Sequence, residues 1–158
     1  MKLITENNEK EYVIVDIDGT ISKIGDRIKY LKQESPDWDA FYASSFDDEP
    51  IFPIIDLVTM LYYSGHEILF FTARRECCRV ATEKWIKNYF PISFLHSGLF
   101  MRDDKDYRPD DQVKPEFLLK AGITDKTDVS YIIEDRNSMV KKWRELGFTV
   151  LQPAEGDF

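Results

Sequence analysis

The sequence has little of what marks secreted, membrane-spanning or zinc-binding proteins. Its only two cysteines, Cys77 and Cys78, are adjacent, which suits neither an ordinary disulfide nor a zinc site. We expect both to be reduced, with at least one packed in the core. No apolar run is long enough to span a bilayer, and the first residues contain no apolar signal-peptide core. These absences predict a soluble cytoplasmic protein with no membrane partner.

Two common phosphate-binding signatures are also absent. Neither G-x-x-x-x-G-K-[ST] nor G-x-G-x-x-G occurs, so a P-loop kinase and a dinucleotide fold receive no support. The chain is acidic: it has 21 Lys and Arg residues and 29 Asp and Glu residues, which gives a net charge of −8. Long nucleic acid is gripped through many Lys and Arg contacts to phosphate. We therefore expect no long duplex footprint, although a local basic pocket is compatible with this balance.

The apolar residues that are present predict an α/β fold. A content of 43% hydrophobic and 14% aromatic residues is ample for one packed domain, which we place over residues 1–158. Predicted strands alternate along the chain with helices that have apolar residues at helical spacing. The predicted strands are YVIVDI, EILFFTA, SFLHSGLF, VSYIIED and FTVLQ, and the helices PIFPIIDLVTMLYYSG, RECCRVATEKWIKNYF, VKPEFLLKAG and NSMVKKWRELG. This order favours a central parallel sheet with helices on both faces.

Polar side chains follow three of the predicted strands. Because the carboxyl ends of parallel strands meet at one edge of a sheet, we expect these side chains to converge. Carboxylates, a hydroxyl and a guanidinium together suit a divalent cation and a phosphate, and oxygen ligands favour Mg²⁺. The residues are Asp16 and Asp18, Thr72 and Arg74, and Glu134 and Asp135.

The paired acids and the threonine also have plain structural interpretations. Asp16 and Asp18 are two residues apart, so they lean the same way in an extended segment, and Gly19 lets the chain turn sharply after them. Alternatively they are solvated turn acids. Thr72 holds a phosphoryl oxygen or caps the next helix.

The same alternatives apply to Lys114 and Asp135. Lys114 opens KPEFLLK, and a lysine at a helix N-terminus is unfavourable unless an anion is near or the side chain swings into solvent. Asp135 binds metal, caps the following helix, or does both. His66 and His96 lack a partner at metal-ligand spacing and receive no role.

Five arginines could recognise phosphate through forked hydrogen bonds, or could form surface ion pairs. For Arg75 we favour the surface ion pair. The others are Arg27, Arg74, Arg102 and Arg108.

The ordered segments VDIDGT, FFTAR, VKPEF and YIIEDRN resemble the four motifs of the haloacid dehalogenase (HAD) superfamily of phosphohydrolases. The match spans nearly the whole chain. Within the superfamily, SPDWDAFYASSFDDEPI, FMRDDKDYRPDDQVK and LQPAEGDF look like the 3′-phosphatase domain of phage-type polynucleotide kinase/phosphatases. The resemblance implies a Rossmann-like HAD fold. Residues 21–50 would form a minimal cap insert, too short for a full cap domain, so we expect an open site.

The resemblance also implies residue roles. Asp16 would be the nucleophile that forms an aspartyl-phosphate, and Asp18 the general acid and then the general base. Thr72 and Lys114 would hold phosphoryl oxygens. Mg²⁺ would be bound by Asp16, the Asp18 carbonyl and Asp135, with help from Glu134, which stands where that domain usually has Asp. Further active-site residues would be Arg27, Arg74 and Asp110.

The leading interpretation is a Mg²⁺-dependent phosphomonoesterase that removes a 3′-phosphate from nucleic-acid ends or nucleotides, in nucleic-acid repair. Two alternatives stay open: a phosphatase of 5′-nucleotides or small metabolites, and a non-catalytic phosphate-binding or partner-docking module of a repair assembly. Trp38, Phe41 and Tyr42 either stack on a base or pack the insert onto the core. The choice between DNA and RNA stays open.

Overall fold

A computed structural model describes residues 11–91 and 98–157 of the protein. The strands are β1 (Tyr12–Val15), β2 (Glu67–Arg75), β3 (Leu99–Arg102), β4 (Val129–Ile133) and β5 (Val150–Leu151). They form one parallel sheet in the order β3-β2-β1-β4-β5. The predicted α/β fold with a central parallel sheet is confirmed.

Seven α-helices and four 3₁₀ helices lie in the described part of the chain. The α-helices are α1 (Ile28–Leu31), α2 (Trp38–Ala43), α3 (Phe52–Tyr63), α4 (Arg79–Tyr89), α5 (Asp110–Val113), α6 (Glu116–Lys120) and α7 (Asn137–Glu145). The 3₁₀ helices are Gly25–Arg27, Ser44–Asp47, Glu76–Cys78 and Lys126–Asp128. Of the helices in residues 11–91 and 98–157, none has the length and apolar character to cross a membrane.

The apolar run of β1 is buried on both faces of the sheet. Val13 and Val15 belong to the core formed with α3 and α4, whereas Ile14 belongs to the core formed with α6 and α7. Successive side chains of a strand point to opposite faces, so an unbroken apolar run requires cover on both sides. This packing places the helices on both faces of the sheet, as predicted.

The boundaries around β2 and β3 differ from the prediction. β2 continues past Ala73 to Arg75, and its pairing with β3 shifts register between Phe71 and Arg75. As a result α4 begins at Arg79, after a 3₁₀ turn, and Thr72 lies inside β2 instead of capping a helix. Most of the predicted strand SFLHSGLF, His96 included, lies outside the described residues, and β3 extends two residues beyond it to Arg102.

The predicted helix VKPEFLLKAG is wrong in its start. Two short helices, α5 and α6, cover this region, and Lys114 lies between them rather than at a helix N-terminus. Pro115 has no N–H to continue the hydrogen bonds of α5. The break at Lys114–Pro115 therefore follows from the proline.

Backbone hydrogen bonds join the two ends of the segment between β1 and α3. Ile51 N–H donates to the carbonyl of Ile21 at 2.7 Å, and Lys23 N–H donates to the carbonyl of Glu49 at 2.8 Å. Within the segment Phe41 and Tyr42 are buried. The packing interpretation of these two aromatic residues thus holds, whereas the Trp38 side chain remains 36% exposed.

The cysteines lie in the 3₁₀ turn before α4, and both are free thiols. Cys77 is exposed, while Cys78 packs partly against the core. The expectation that one of them contacts the core is met.

Candidate active site

The ends of β1 and β4 bring three carboxylates together. Val15 is paired with Ile133, and the N–H of Asp16 donates to the carbonyl of Ile133 at 3.0 Å. Asp16 therefore leaves β1 beside Glu134 and Asp135, which leave β4. One carboxylate oxygen from each lies within 4.8 Å of the other two, and all three residues are buried. The convergence expected from the strand ends is observed.

Lys114 places one positive charge in this cluster. Its Nζ donates to Asp16 Oδ1 at 2.6 Å and to Glu134 Oε2 at 2.7 Å. Burial alone would lower the pKa of Lys114, but the carboxylates of Asp16 and Glu134 outweigh burial and raise it. The lysine is therefore charged and turned inward, which excludes the alternative in which it swings into solvent.

The cluster remains short of positive charge despite Lys114. Burial, followed by the charge of Asp16, raises the pKa of Glu134 to about 8 and that of Asp135 to about 7. Burial also raises the pKa of Asp16, although Lys114 opposes the shift. Three carboxylates around one ammonium leave two negative charges uncompensated when all are ionised. A divalent cation with oxygen ligands fits this donor set.

Two glycines allow the close approach of Asp135. Gly19 has a φ of +86°, which L side chains rarely adopt, and a Cβ there would clash with Asp135 Oδ2. A Cβ at Gly156 would clash with the same oxygen. The hydroxyl of Thr20 lies 3.2 Å from Asp16 Oδ2 and 3.0 Å from Asp135 Oδ1, within donating distance of either. The D-G-T part of the first motif thus packs directly against the acids after β4.

Asp135 does not cap the helix that follows it. Arg136 occupies the N-cap of α7, and no side-chain capping hydrogen bond is made there. The carbonyl of Asp135 instead accepts from Gly156 N–H and from Gln152 Nε2, both at 2.9 Å. Its carboxylate is one of the three in the cluster and lies near the Thr20 hydroxyl.

Asp18 is not part of the three-carboxylate cluster and is held by two arginines. Arg74 donates to it through Nη2 at 2.7 Å and Nε at 3.0 Å, and Arg27 donates through Nη2 at 2.5 Å. Burial would raise the pKa of Asp18, but the two guanidinium groups hold it well below its usual range. Asp18 is therefore ionised in this arrangement.

Asp48 completes this network and was not identified from the sequence. It accepts from Arg27 at 2.7 and 2.6 Å and from Arg74 at 3.1 Å. Two acids and two buried arginines make the group electrically neutral. In the sequence Asp48 sits in the acidic run DDE, which is typical of a solvated turn, so no local signal distinguishes it.

The remaining predicted residues surround the same edge of the sheet. Thr72 is fully buried and its hydroxyl accepts from the N–H of Arg74 at 3.2 Å. Asp110 begins α5 and forms ion pairs with Arg102 and Arg136. A cavity here is lined by Asp16, Asp18, Trp38, Phe41, Tyr42, Ala73, Asp110, Lys114, Glu134 and Arg136. The lining does not include four of the predicted residues, which are buried: Arg27, Thr72, Arg74 and Asp135.

Comparisons with known proteins extend over nearly the whole chain. Residues 10–158 match the family described as the polynucleotide kinase PNKP phosphatase domain. A structure described as the Pnkp1/Rnl/Hen1 RNA repair complex contains a chain 28% identical, with a TM-score of 0.78. The match covers 99% of this chain and 47% of that one. The chain thus spans about half the length of the chains it matches in this structure and in a second one of a Pnkp1/Rnl/Hen1 complex.

Two more distant structures share the fold. A HAD family enzyme from Bacteroides thetaiotaomicron, in complex with magnesium and inorganic phosphate, is 15% identical with a TM-score of 0.60; the match covers 94% of this chain and 96% of that one. A class C acid phosphatase from Bacillus anthracis with tungstate bound is 16% identical with a TM-score of 0.58, over 82% of this chain and 54% of that one.

Proposed function

Because the chain belongs to the family of the polynucleotide kinase PNKP phosphatase domain, a HAD phosphatase family, we propose that it removes 3′-phosphates from nucleic-acid ends or nucleotides. The reaction would use Mg²⁺ and an aspartyl-phosphate on Asp16. The observation that carries this proposal is the buried cluster of three carboxylates around Lys114, at the carboxyl ends of β1 and β4.

Mg²⁺ would be held by Asp16 and Asp135, with the Asp18 carbonyl and Glu134 as further oxygen ligands. When bound, the ion supplies positive charge that offsets the repulsion between the substrate phosphate and Asp16. The uncompensated charge of the cluster and its oxygen donors support this assignment. The glycines at positions 19 and 156 leave the space that Asp135 needs.

The chain's own residues would carry the chemistry in two steps. First, a carboxylate oxygen of Asp16 forms a bond to phosphorus as the bond from phosphorus to the 3′-oxygen breaks, and Asp18 gives its proton to the leaving oxygen. Second, Asp18 takes a proton from water, whose oxygen bonds to phosphorus and displaces the Asp16 carboxylate. Inorganic phosphate leaves, and both aspartates return to their starting states.

Cationic groups would position the reacting atoms. Lys114 holds Asp16 in place at 2.6 Å and neutralises part of its charge. Arg74 and Arg27 would shift their hydrogen bonds from Asp18 to the phosphoryl oxygens when substrate binds, which frees Asp18 to carry a proton. Thr72 and Asp110 would complete the phosphate site. Residues 21–50 would act as a minimal cap within a single domain and leave the site open to a polymer end.

Hydrolysis of terminally labelled DNA and RNA tests this proposal. We expect release of phosphate from 3′-phosphorylated ends, loss of activity in EDTA, and recovery when Mg²⁺ is added back. The chain resembles part of an RNA-repair assembly at 28% identity, which supports a nucleic-acid substrate. Release of phosphate from 5′-phosphorylated ends alone would contradict the 3′-phosphatase assignment and favour the 5′-nucleotide alternative. Full activity in EDTA would show that the reaction does not need the metal.

The charge of the cluster predicts a pH-dependent stability of the metal-free protein. The pKa values of Glu134 and Asp135 are raised from 4.5 to about 8 and from 3.8 to about 7. A raised pKa stabilises the folded state at low pH, and this contribution is lost as pH rises through the folded pKa. The pKa of Asp18 is lowered and that of Lys114 is raised, so both groups keep their charge between pH 5 and 8.

We therefore expect the free energy of unfolding in EDTA to fall as pH rises from about 5 to about 8. Mg²⁺ should stabilise the protein more at the upper end, where the acids are ionised and no proton has to be displaced. Thermal unfolding with EDTA and with Mg²⁺ across this range measures both effects. A Mg²⁺-induced rise in Tm that is larger at pH 5 than at pH 8 would contradict the cation site.

A further inference from the structure

A groove of about 420 Å³ lies beside the catalytic cavity. Both are lined by Trp38, Tyr42, Asp110 and Arg136. A substrate whose phosphate reaches Asp16 would therefore extend the rest of its structure into this groove. The groove is where a longer substrate would be recognised.

Two aromatic rings in the groove are exposed without packing fully into the core. Trp38 is 36% exposed and Tyr107 is 78% exposed. Trp38 is supported from behind, because Tyr42 stacks on it at 6.0 Å between ring centroids and Phe41 meets it edge-on at 5.8 Å. A supported, exposed ring is a platform on which a nucleobase can stack.

The groove is also rich in arginine although the chain is acidic. Four of the eight arginines line it: Arg75, Arg102, Arg108 and Arg136. Arg102 serves the fold, because it donates to the carbonyls of Ala73, Asp106 and Arg108. The lining also contains Asp106, Asp110 and Asp111, so four guanidinium groups face three carboxylates. This local balance differs from the net charge of −8 of the whole molecule, and a slight excess of positive charge suits an anionic polymer.

Arg75 has a hydrogen-bond donor, its Nε, that is not used by a partner in the described structure. Its guanidinium lies over the ring of Tyr107 at 5.2 Å and pairs with Asp39, whose side chain is 82% exposed. Its Nε is buried and has no hydrogen-bond partner among the residues the structure describes. A buried donor without a partner is costly, and a phosphodiester oxygen would supply the acceptor. The surface ion pair favoured from the sequence exists, but it leaves this donor unused.

We propose that this groove binds the nucleotides upstream of the 3′-phosphate in single-stranded nucleic acid. An unpaired base stacks on Trp38 or Tyr107, and an internucleotide phosphate binds Arg75. Stacking on an exposed ring requires a base face freed from its neighbours, which a single-stranded end offers more readily than a duplex end does. The inference rests on the proposed function, since it presumes a 3′-phosphate at Asp16.

The test compares kcat/KM for a single-stranded pentanucleotide 3′-phosphate with kcat/KM for p-nitrophenyl phosphate, which has no base and no second phosphate. At least one of the variants Trp38→Ala and Tyr107→Ala should lower the ratio of the two about tenfold, the loss expected when one base stack on an aromatic ring is removed. Tyr107→Phe should restore the ratio. The matched control is Tyr63→Ala on α3, where the tyrosine is 73% exposed and outside the groove.

Salt dependence tests the phosphate contact separately. Arg75→Gln should lower the slope of log(kcat/KM) against log[salt] for the pentanucleotide by about 0.7, the value for one contact to a single strand. Unchanged ratios and slopes, equal losses on both substrates, or equal turnover of single-stranded and blunt duplex ends would overturn the inference. Wild-type protein that releases phosphate only from a 5′-phosphorylated pentanucleotide would instead overturn the proposed function and this inference with it. The same holds for wild-type protein that hydrolyses neither the pentanucleotide 3′-phosphate nor p-nitrophenyl phosphate.

Discussion

Asp16→Asn is expected to lower kcat for phosphate-monoester hydrolysis by about 10⁴-fold or more, because an amide cannot replace the attacking carboxylate. The protein should stay folded. Lys114 keeps its 2.7 Å contact to Glu134, and the substitution removes one of three buried negative charges. We therefore expect a Tm in EDTA that is unchanged or higher than that of the wild type.

Initial rates and thermal unfolding of purified variants measure these two effects. Asp56→Asn is the matched control, since Asp56 is exposed on α3 and should keep wild-type activity. An Asp16→Asn protein that retains wild-type turnover would refute the nucleophile. An Asp16→Asn protein that fails to fold would show instead that Asp16 stabilises this edge of the sheet.

Asp18→Asn should have the second largest effect, and its size should depend on the leaving group. For a 3′-phosphorylated oligonucleotide, whose leaving oxygen needs a proton, we expect kcat to fall by about 10²–10⁴. For p-nitrophenyl phosphate, whose leaving group needs no proton, the release of nitrophenolate in the first turnover should fall much less. Rapid-mixing measurements with both substrates separate proton transfer from a general loss of function.

The contacts of Asp18 require a stability control for this variant. Arg27 and Arg74 would lose one of their two carboxylate partners but keep Asp48, at 2.6 and 3.1 Å. Breaking a buried ion pair is costly, so the variant should unfold at a lower temperature than the wild type. Equal losses of the first turnover on both substrates would mean that Asp18 positions the arginines and does not transfer the proton.

The three-carboxylate cluster was predictable because its signal is local. Apolar β-branched runs end at Asp16 and at Glu134, and parallel strands bring such ends to one edge. Asp16, Glu134 and Asp135 therefore meet as expected, with Lys114 among them, although the lysine reaches them from a break between two short helices.

The arginine network was less predictable because its partners are distant in the sequence. The sequence predicts a phosphate-binding role for Arg27 and Arg74, and in the structure both donate to Asp18 and Asp48. Asp48 lies 21 residues from Arg27 and 26 from Arg74, and nothing in the acidic run around it marks a buried residue. Which aromatic residues of the segment remain exposed also depends on packing, so Trp38 could not be separated from Phe41 by sequence alone.

The most direct test of the central claim is the mass of the protein after reaction. Asp18→Asn, mixed with p-nitrophenyl phosphate and Mg²⁺ and quenched in acid, should gain the mass of one phosphoryl group on the peptide that contains Asp16. The phosphoryl group accumulates there because the base that activates water is missing, and the double variant with Asp16→Asn should gain nothing. Release of nitrophenolate with no phosphoryl group on Asp16, or with one on another residue, would contradict the account.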